Sequence, residues 1–142
     1  MAQLLFDTNI VSFFHRKDTR AKLYEKFLVD SKLFLSWMTL AEIRFGYLQK
    51  GWGDNRVLDI ETYLQTNFLT LFPTDKTVSI FAECLSVSYK KGRPMSHGDA
   101  WIASTAIEWE VPLVTHNAKD YKVLGERIQL LSEEADGTNS GE

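Results

Sequence analysis

Cysteine is almost missing from this chain: Cys84 is the only one among 142 residues. An internal disulfide and a thiolate zinc cluster are thereby excluded, and a reducing cytoplasm is the expected setting. Long apolar runs are missing as well. No stretch approaches the roughly 18 residues of a membrane-spanning helix, and residues 1–7 meet a carboxylate with no basic stretch ahead of their apolar residues, so neither a span nor a signal peptide is expected. Histidine is scarce, at three residues with no evident pair. An excess of positive charge is absent too, since 16 Lys+Arg against 19 Asp+Glu gives −3, which at face value speaks against a nucleic-acid partner. That average is skewed by the chain end. Glu133, Glu134, Asp136 and Glu142 have no base among them, and residues 1–131 carry 16 bases against 15 acids.

The composition that is present, 44% apolar and 13% aromatic, suffices for one core. One domain is expected over residues 1–131, followed by an acidic, disordered tail over 132–142. Short apolar runs at residues 4–6, 33–37, 70–72, 112–115 and 128–131 read as five strands. Helical spacing separates them. Leu23, Tyr24, Phe27 and Leu28 mark one helix, Leu40, Ile43, Tyr47 and Leu48 a second that opens in capping-box form at Thr39–Glu42 and ends at Gly51, and Val57, Ile60, Leu64 and Phe68 a third. Val78, Phe81, Ala82, Leu85 and Tyr89 predict a helix closing at Lys90-Lys91-Gly92, and Ser96 opens another that buries Ala100, Ala103, Ser104 and Ile107. Strands alternating with helices, each strand apolar on both faces, predict an α/β fold with a covered parallel sheet.

In such a sheet the strand-to-helix junctions lie at the carboxyl edge, where ligands of open α/β folds bind. Asp7 directly follows the first strand, Glu42 starts the helix after the second, Asp99 opens the helix that feeds the fourth strand, and Asp120 lies just past that strand. Each acid alone could serve as a helix cap. As a set they would repel one another unless a cation intervened. Hard oxygen donors without cysteine or paired histidine select Mg²⁺ or Mn²⁺ over zinc.

At these residues the chain resembles a known family. Leu5-Phe6-Asp7-Thr8-Asn9, Leu40-Ala41-Glu42-Ile43-Arg44-Phe45-Gly46, Asp99-Ala100-Trp101-Ile102-Ala103 and the run from Leu113 to Tyr121 resemble, in order, the sequence blocks of PIN-domain ribonucleases. They are most similar to those of VapC-type toxins from toxin–antitoxin pairs. The resemblance covers about residues 3–131 and implies a three-layer α/β/α fold with a central parallel sheet of about five short strands. It further implies Mg²⁺- or Mn²⁺-dependent cleavage of RNA, a cognate antitoxin protein and a homodimer. Under it Asp7, Glu42, Asp99 and Asp120 correspond to the acidic metal ligands, with Thr115 and Asn117 as supporting polar positions. Trp101 and Ser104 depart from the more usual aliphatic residue and alanine, and the acidic tail is not a family feature.

With the four acids set aside, the body holds 16 bases against 11 acids, which suits a rim that must hold a polyanion. Arg44, Lys90, Lys91, Arg93, His116, Lys119 and Lys122 are candidates for RNA phosphate contacts. Trp37 is the best candidate for stacking an unpaired base. Apolar residues in excess of one core's needs in the segments around Leu23 and Val57 hint at a partner. Other classes fit less well: a haloacid-dehalogenase-type phosphatase needs a second aspartate where Asn9 stands, and a response-regulator receiver needs one where Pro73 stands. The remaining alternative is a catalytically silent fold that binds RNA or a partner without cutting.

Overall fold

Each apolar run becomes a strand only for as long as both of its faces are covered. The computed structural model describes residues 1–134. Its strands are β1 (Ala2–Phe6), β2 (Ser31–Ser36), β3 (Leu69–Leu71), β4 (Leu113–Val114) and β5 (Leu130–Leu131), all parallel, in the order β3-β2-β1-β4-β5. Five α-helices flank them: α1 (Thr8–His15), α2 (Trp37–Lys50), α3 (Asp54–Asn67), α4 (Asp75–Lys90) and α5 (His97–Trp109). The period of two along the strands sorts their side chains. Leu5, Phe34, Leu71 and Leu113 enter one core with α4 and α5, whereas Leu4, Phe6, Leu35 and Val114 enter the other with α1, α2 and α3. The predicted three-layer architecture is the one observed. No helix among the described residues is long and apolar enough to cross a membrane.

The chain builds β1, β2 and β3 outward in one direction, then returns to lay β4 on the other side of β1. The carboxyl ends of β1 and β4 therefore form the switch point of the sheet, the place in open α/β folds where adjoining loops diverge and leave a crevice. Phe6 pairs with Val114, so Asp7 and Thr115 leave the sheet side by side.

Several local expectations are corrected. The segment around Leu23 is a 3₁₀ helix, Thr19–Leu28, whose three-residue repeat turns Ala21 and Tyr24 inward and leaves Leu23 and Leu28 exposed. Helix α2 starts at Trp37 rather than Thr39, because the Ser36 side chain accepts the Met38 N–H and caps it two residues earlier. Glu42 consequently lies within the helix and is no capping acid. In α4 the buried positions are Thr77, Cys84 and Ser88, with Val78 and Tyr89 exposed. Glu133 and Glu134, assigned to the tail by composition, bond to the body: Glu133 N–H donates to the Tyr24 hydroxyl and Glu134 Oε1 accepts the Ala118 N–H. Residues 135–142 of that expected tail lie outside the described residues.

Candidate active site

Asp7 is the buried centre of the carboxyl edge, with 5% of its surface exposed. Its Oδ1 accepts the Thr8 N–H at 2.8 Å, and its Oδ2 accepts the Thr115 hydroxyl at 2.7 Å and the Tyr121 hydroxyl at 3.2 Å. The Tyr121 hydroxyl also lies 3.3 Å from Asp99 Oδ1, so one phenol stands between two carboxylates brought from opposite ends of the chain. Asp99 reaches this point because Ser96 caps α5, its hydroxyl accepting the Asp99 N–H, and starts the helix at the carboxyl edge. From α2, Glu42 Oε1 accepts the Thr8 hydroxyl at 2.5 Å, and Thr8 lies 3.0 Å from the Thr39 hydroxyl. Asp120 closes the outer side from the short 3₁₀ turn Ala118–Asp120. Asp7, Thr8, Asn9, Glu42, Asp99, Asn117 and Asp120 line one open cavity of about 370 Å³.

Electrostatics follow the burial. Desolvation pushes the Asp7 carboxyl up to about 6 against the hydrogen bonds of Thr115 and Thr8, with the Asp99 charge adding to the rise. Glu42 and Asp99 are raised as well, chiefly by burial, with Asp99 acting on Glu42 and Asp120 acting on Asp99. Burial and the two neighbouring carboxylates hold the Tyr121 phenol well above its ordinary value, so it stays protonated and donates. These are carboxylates held close together against their own repulsion.

The donor set fits a hard divalent cation. Among the described residues no three acidic or other metal-binding side chains already close on one point. A Mg²⁺ ion keeps much of its water and takes only one or two carboxylates directly. Asp7 and Asp99, joined through Tyr121, are the pair that would hold it, with Glu42 and Asp120 facing the same cavity.

A second cavity of about 390 Å³ shares Asp99 and Asp120 with the first and adds Arg93, Ser96 and Lys119. Two of the basic candidates thus adjoin the acids. Lys91 lies on the same side but spends one donor on the Val123 carbonyl at 2.8 Å, and Lys90 and Lys122 are exposed without lining either cavity. Arg44 and His116 are not brought to the acids. Arg44 follows Glu42 by two residues, about 200° around a helix, and instead pairs with Glu61 through two hydrogen bonds of 3.0 Å. His116 turns away from the acids, with Nδ1 2.5 Å from the Tyr24 hydroxyl and its ring edge-on to Phe13. Trp37 is half-buried with its ring edge-on to Trp101, which in turn stacks on Phe81.

Reading the sequence for acids missed Tyr121, Thr8 and Asn9. An aromatic residue in a short polar turn looks like packing, and a threonine after an aspartate looks like a cap. Only the pairing of β1 with β4 shows that they share a cavity with the acids.

The PIN domain family model matches residues 4–126. This chain belongs to the PIN-domain family. Ribonuclease VapC1 of Haemophilus influenzae strain R2866 is 27% identical to it over 120 residues, 83% of this chain and 89% of that protein. The solved structure of VapBC2 from Rickettsia felis, bound to a DNA fragment from their promoter, matches this PIN domain with a TM-score of 0.80 at 22% identity, covering 93% of this chain and 99% of that one. VapBC-1 from nontypeable Haemophilus influenzae matches with a TM-score of 0.74 at 23% identity, covering 93% and 98%. The matched span of the PIN domain includes Asp7, Glu42, Asp99, Thr115, Asn117 and Asp120.

Proposed function

We propose that this PIN domain is a metal-dependent endoribonuclease, the toxin of a toxin–antitoxin pair, acting in the cytoplasm on RNA phosphodiester bonds. The observation that carries the reading is the Asp7–Tyr121–Asp99 bridge at the switch point of the sheet, facing one cavity with Glu42 and Asp120. The sequence similarity to ribonuclease VapC1 supports the choice of RNA as substrate. A divalent ion held there would neutralise charge developing on the phosphodiester and make a bound water acidic enough to attack. The protein's own part is orientation. Thr115 and the Thr8 amide fix both oxygens of Asp7, Tyr121 holds Asp99 in line with it, Thr8 fixes Glu42, and the half-buried Asn117 offers an amide to the same cavity. A cognate antitoxin belongs to the same reading, supported by the VapBC structures that share this fold, and a homodimer belongs to it through the family resemblance alone.

Cleavage of single-stranded or loop RNA is expected with Mg²⁺ or Mn²⁺ and to stop in excess EDTA. Gel analysis of end-labelled RNA checks this: cleavage surviving chelation would contradict the metal dependence, and RNA bound but never cut would favour the silent binding module.

Arg93 and Lys119 are the basic side chains of this rim that line the cavity next to the acids, and no carboxylate within 4.0 Å pairs with either among the described residues. They are the proposed phosphate contacts. Replacing both with alanine is expected to weaken RNA binding and flatten its salt dependence by about 1.4 in log–log slope, since roughly 0.7 counterion fewer is released from a single strand per lost contact. Turnover of bound RNA should change much less. Binding measured in Ca²⁺ over a salt series decides, and an unchanged slope would return the two residues to ordinary surface charge.

A further inference from the structure

Gly98 is the second residue of α5, where neither backbone conformation nor helix propensity calls for glycine. Its φ lies outside the left-handed region, and alanine is the better helix former. What the position lacks is room. A Cβ built on Gly98 would lie 2.7 Å from Glu42 Oε2 and 3.8 Å from its Cδ, and the shorter of these is a distance that a carbon and an oxygen do not sustain. The other oxygen of the same carboxylate accepts the Thr8 hydroxyl. The Glu42 head is thus confined between Thr8 on α1 and the bare backbone of Gly98 on α5.

From this confinement we infer that Gly98 is a positioning residue for the active site: its missing side chain is the space into which the Glu42 carboxylate fits, and that fit keeps the carboxylate on Thr8 and facing the acidic cavity. The atom in conflict is the far end of a flexible side chain, so a methyl group at position 98 displaces the carboxylate rather than the helix. The fold tolerates the change and the site does not. The relevance of Glu42 to the ion rests on the proposed function, whereas the placement of its carboxylate does not.

The two are separable with Gly98→Ala. In metal-free protein, the energetic coupling between Thr8 and Glu42, measured by urea unfolding of Thr8→Val, Glu42→Gln and the double variant, is expected to be present with Gly98 and to vanish with alanine there. Coupling that persists undiminished would overturn the inference whatever the metal does. In parallel, Mn²⁺ binding followed by electron paramagnetic resonance is expected to weaken about tenfold in Gly98→Ala, the order of effect seen when a supporting contact to a ligand is lost. Adding Glu42→Asp, a side chain one methylene shorter, should remove that penalty: the double variant should bind Mn²⁺ as well as Glu42→Asp alone. A wild-type protein that binds no Mn²⁺ would contradict the metal reading while the coupling still decides the role of Gly98. If Gly98→Ala fails to fold, Glu42→Ala added to it should restore folding, and failure to do so would overturn the inference.

Discussion

Asparagine in place of Asp7 or Asp99 is expected to lower RNA cleavage about a thousandfold or more, roughly 4 kcal/mol of transition-state stabilisation, while the protein stays folded. The two residues form the pair that Tyr121 joins, and asparagine is close to aspartate in shape but cannot supply the negative charge a divalent ion needs. Folding should respond in the opposite direction for Asp7. A carboxyl pushed up to about 6 by burial carries a charge at neutral pH that destabilises the metal-free fold by up to about 3 kcal/mol. Asparagine removes that charge and weakens a hydrogen bond worth roughly 1 kcal/mol, so a net gain of up to about 2 kcal/mol is expected in EDTA. Single-turnover cleavage and thermal melts of the same preparations check both halves. An unfolded Asp7→Asn that keeps its activity per folded molecule would reduce Asp7 to a cap of α1.

The pH dependence of stability follows from the same group. The Asp7 pKa is higher in the folded chain, about 6, than the 3.8 of an unperturbed aspartate, so between those values the folded state binds more protons than the unfolded one. Stability of the metal-free protein therefore falls as pH rises through that window, by up to about 3 kcal/mol from Asp7, and Glu42 and Asp99 act with the same sign. The salt-bridged Glu61 has a lowered pKa and contributes oppositely, losing stability as pH falls. Subtracting the Asp7→Asn profile from the wild-type profile in EDTA isolates the Asp7 part. A difference that stays flat from pH 4 to 7 would contradict the assignment. Mn²⁺ added at pH 7 should raise the melting temperature of the wild type far more than that of Asp7→Asn, because an ion that binds only the folded state stabilises it by mass action.

Much of the fold was legible because the strands are short apolar runs stopped by a polar residue or a proline, as at Phe6-Asp7 and Leu71-Phe72-Pro73. Strand order was not legible, and it is strand order that makes Asp7 and Thr115 neighbours. The start of α2 was misplaced because Trp37 and Met38 continue the apolar character of β2, and only the Ser36 cap separates strand from helix. For the site, the acids could be named from where strands end, but their neighbours in sequence were poor guides to neighbours in space. Arg44 stands two residues from Glu42 and points elsewhere, while Thr8 and Gly98, each unremarkable in sequence, hold the Glu42 carboxylate between them. Proximity along a helix or extended chain alternates faces, and charge patterning alone does not say which face is shared.

The proposed function requires that one ion-dependent acidic centre both binds metal and cuts RNA. The most direct test titrates Mn²⁺ into wild type and Asp99→Asn, recording Mn²⁺ binding and single-turnover cleavage of one RNA in the same samples. The prediction is that cleavage in the wild type rises in step with bound Mn²⁺, and that Asp99→Asn, still folded and still binding RNA in Ca²⁺, loses both together. Cleavage by Asp99→Asn at the wild-type rate, or wild-type cleavage that ignores Mn²⁺ occupancy, would contradict it.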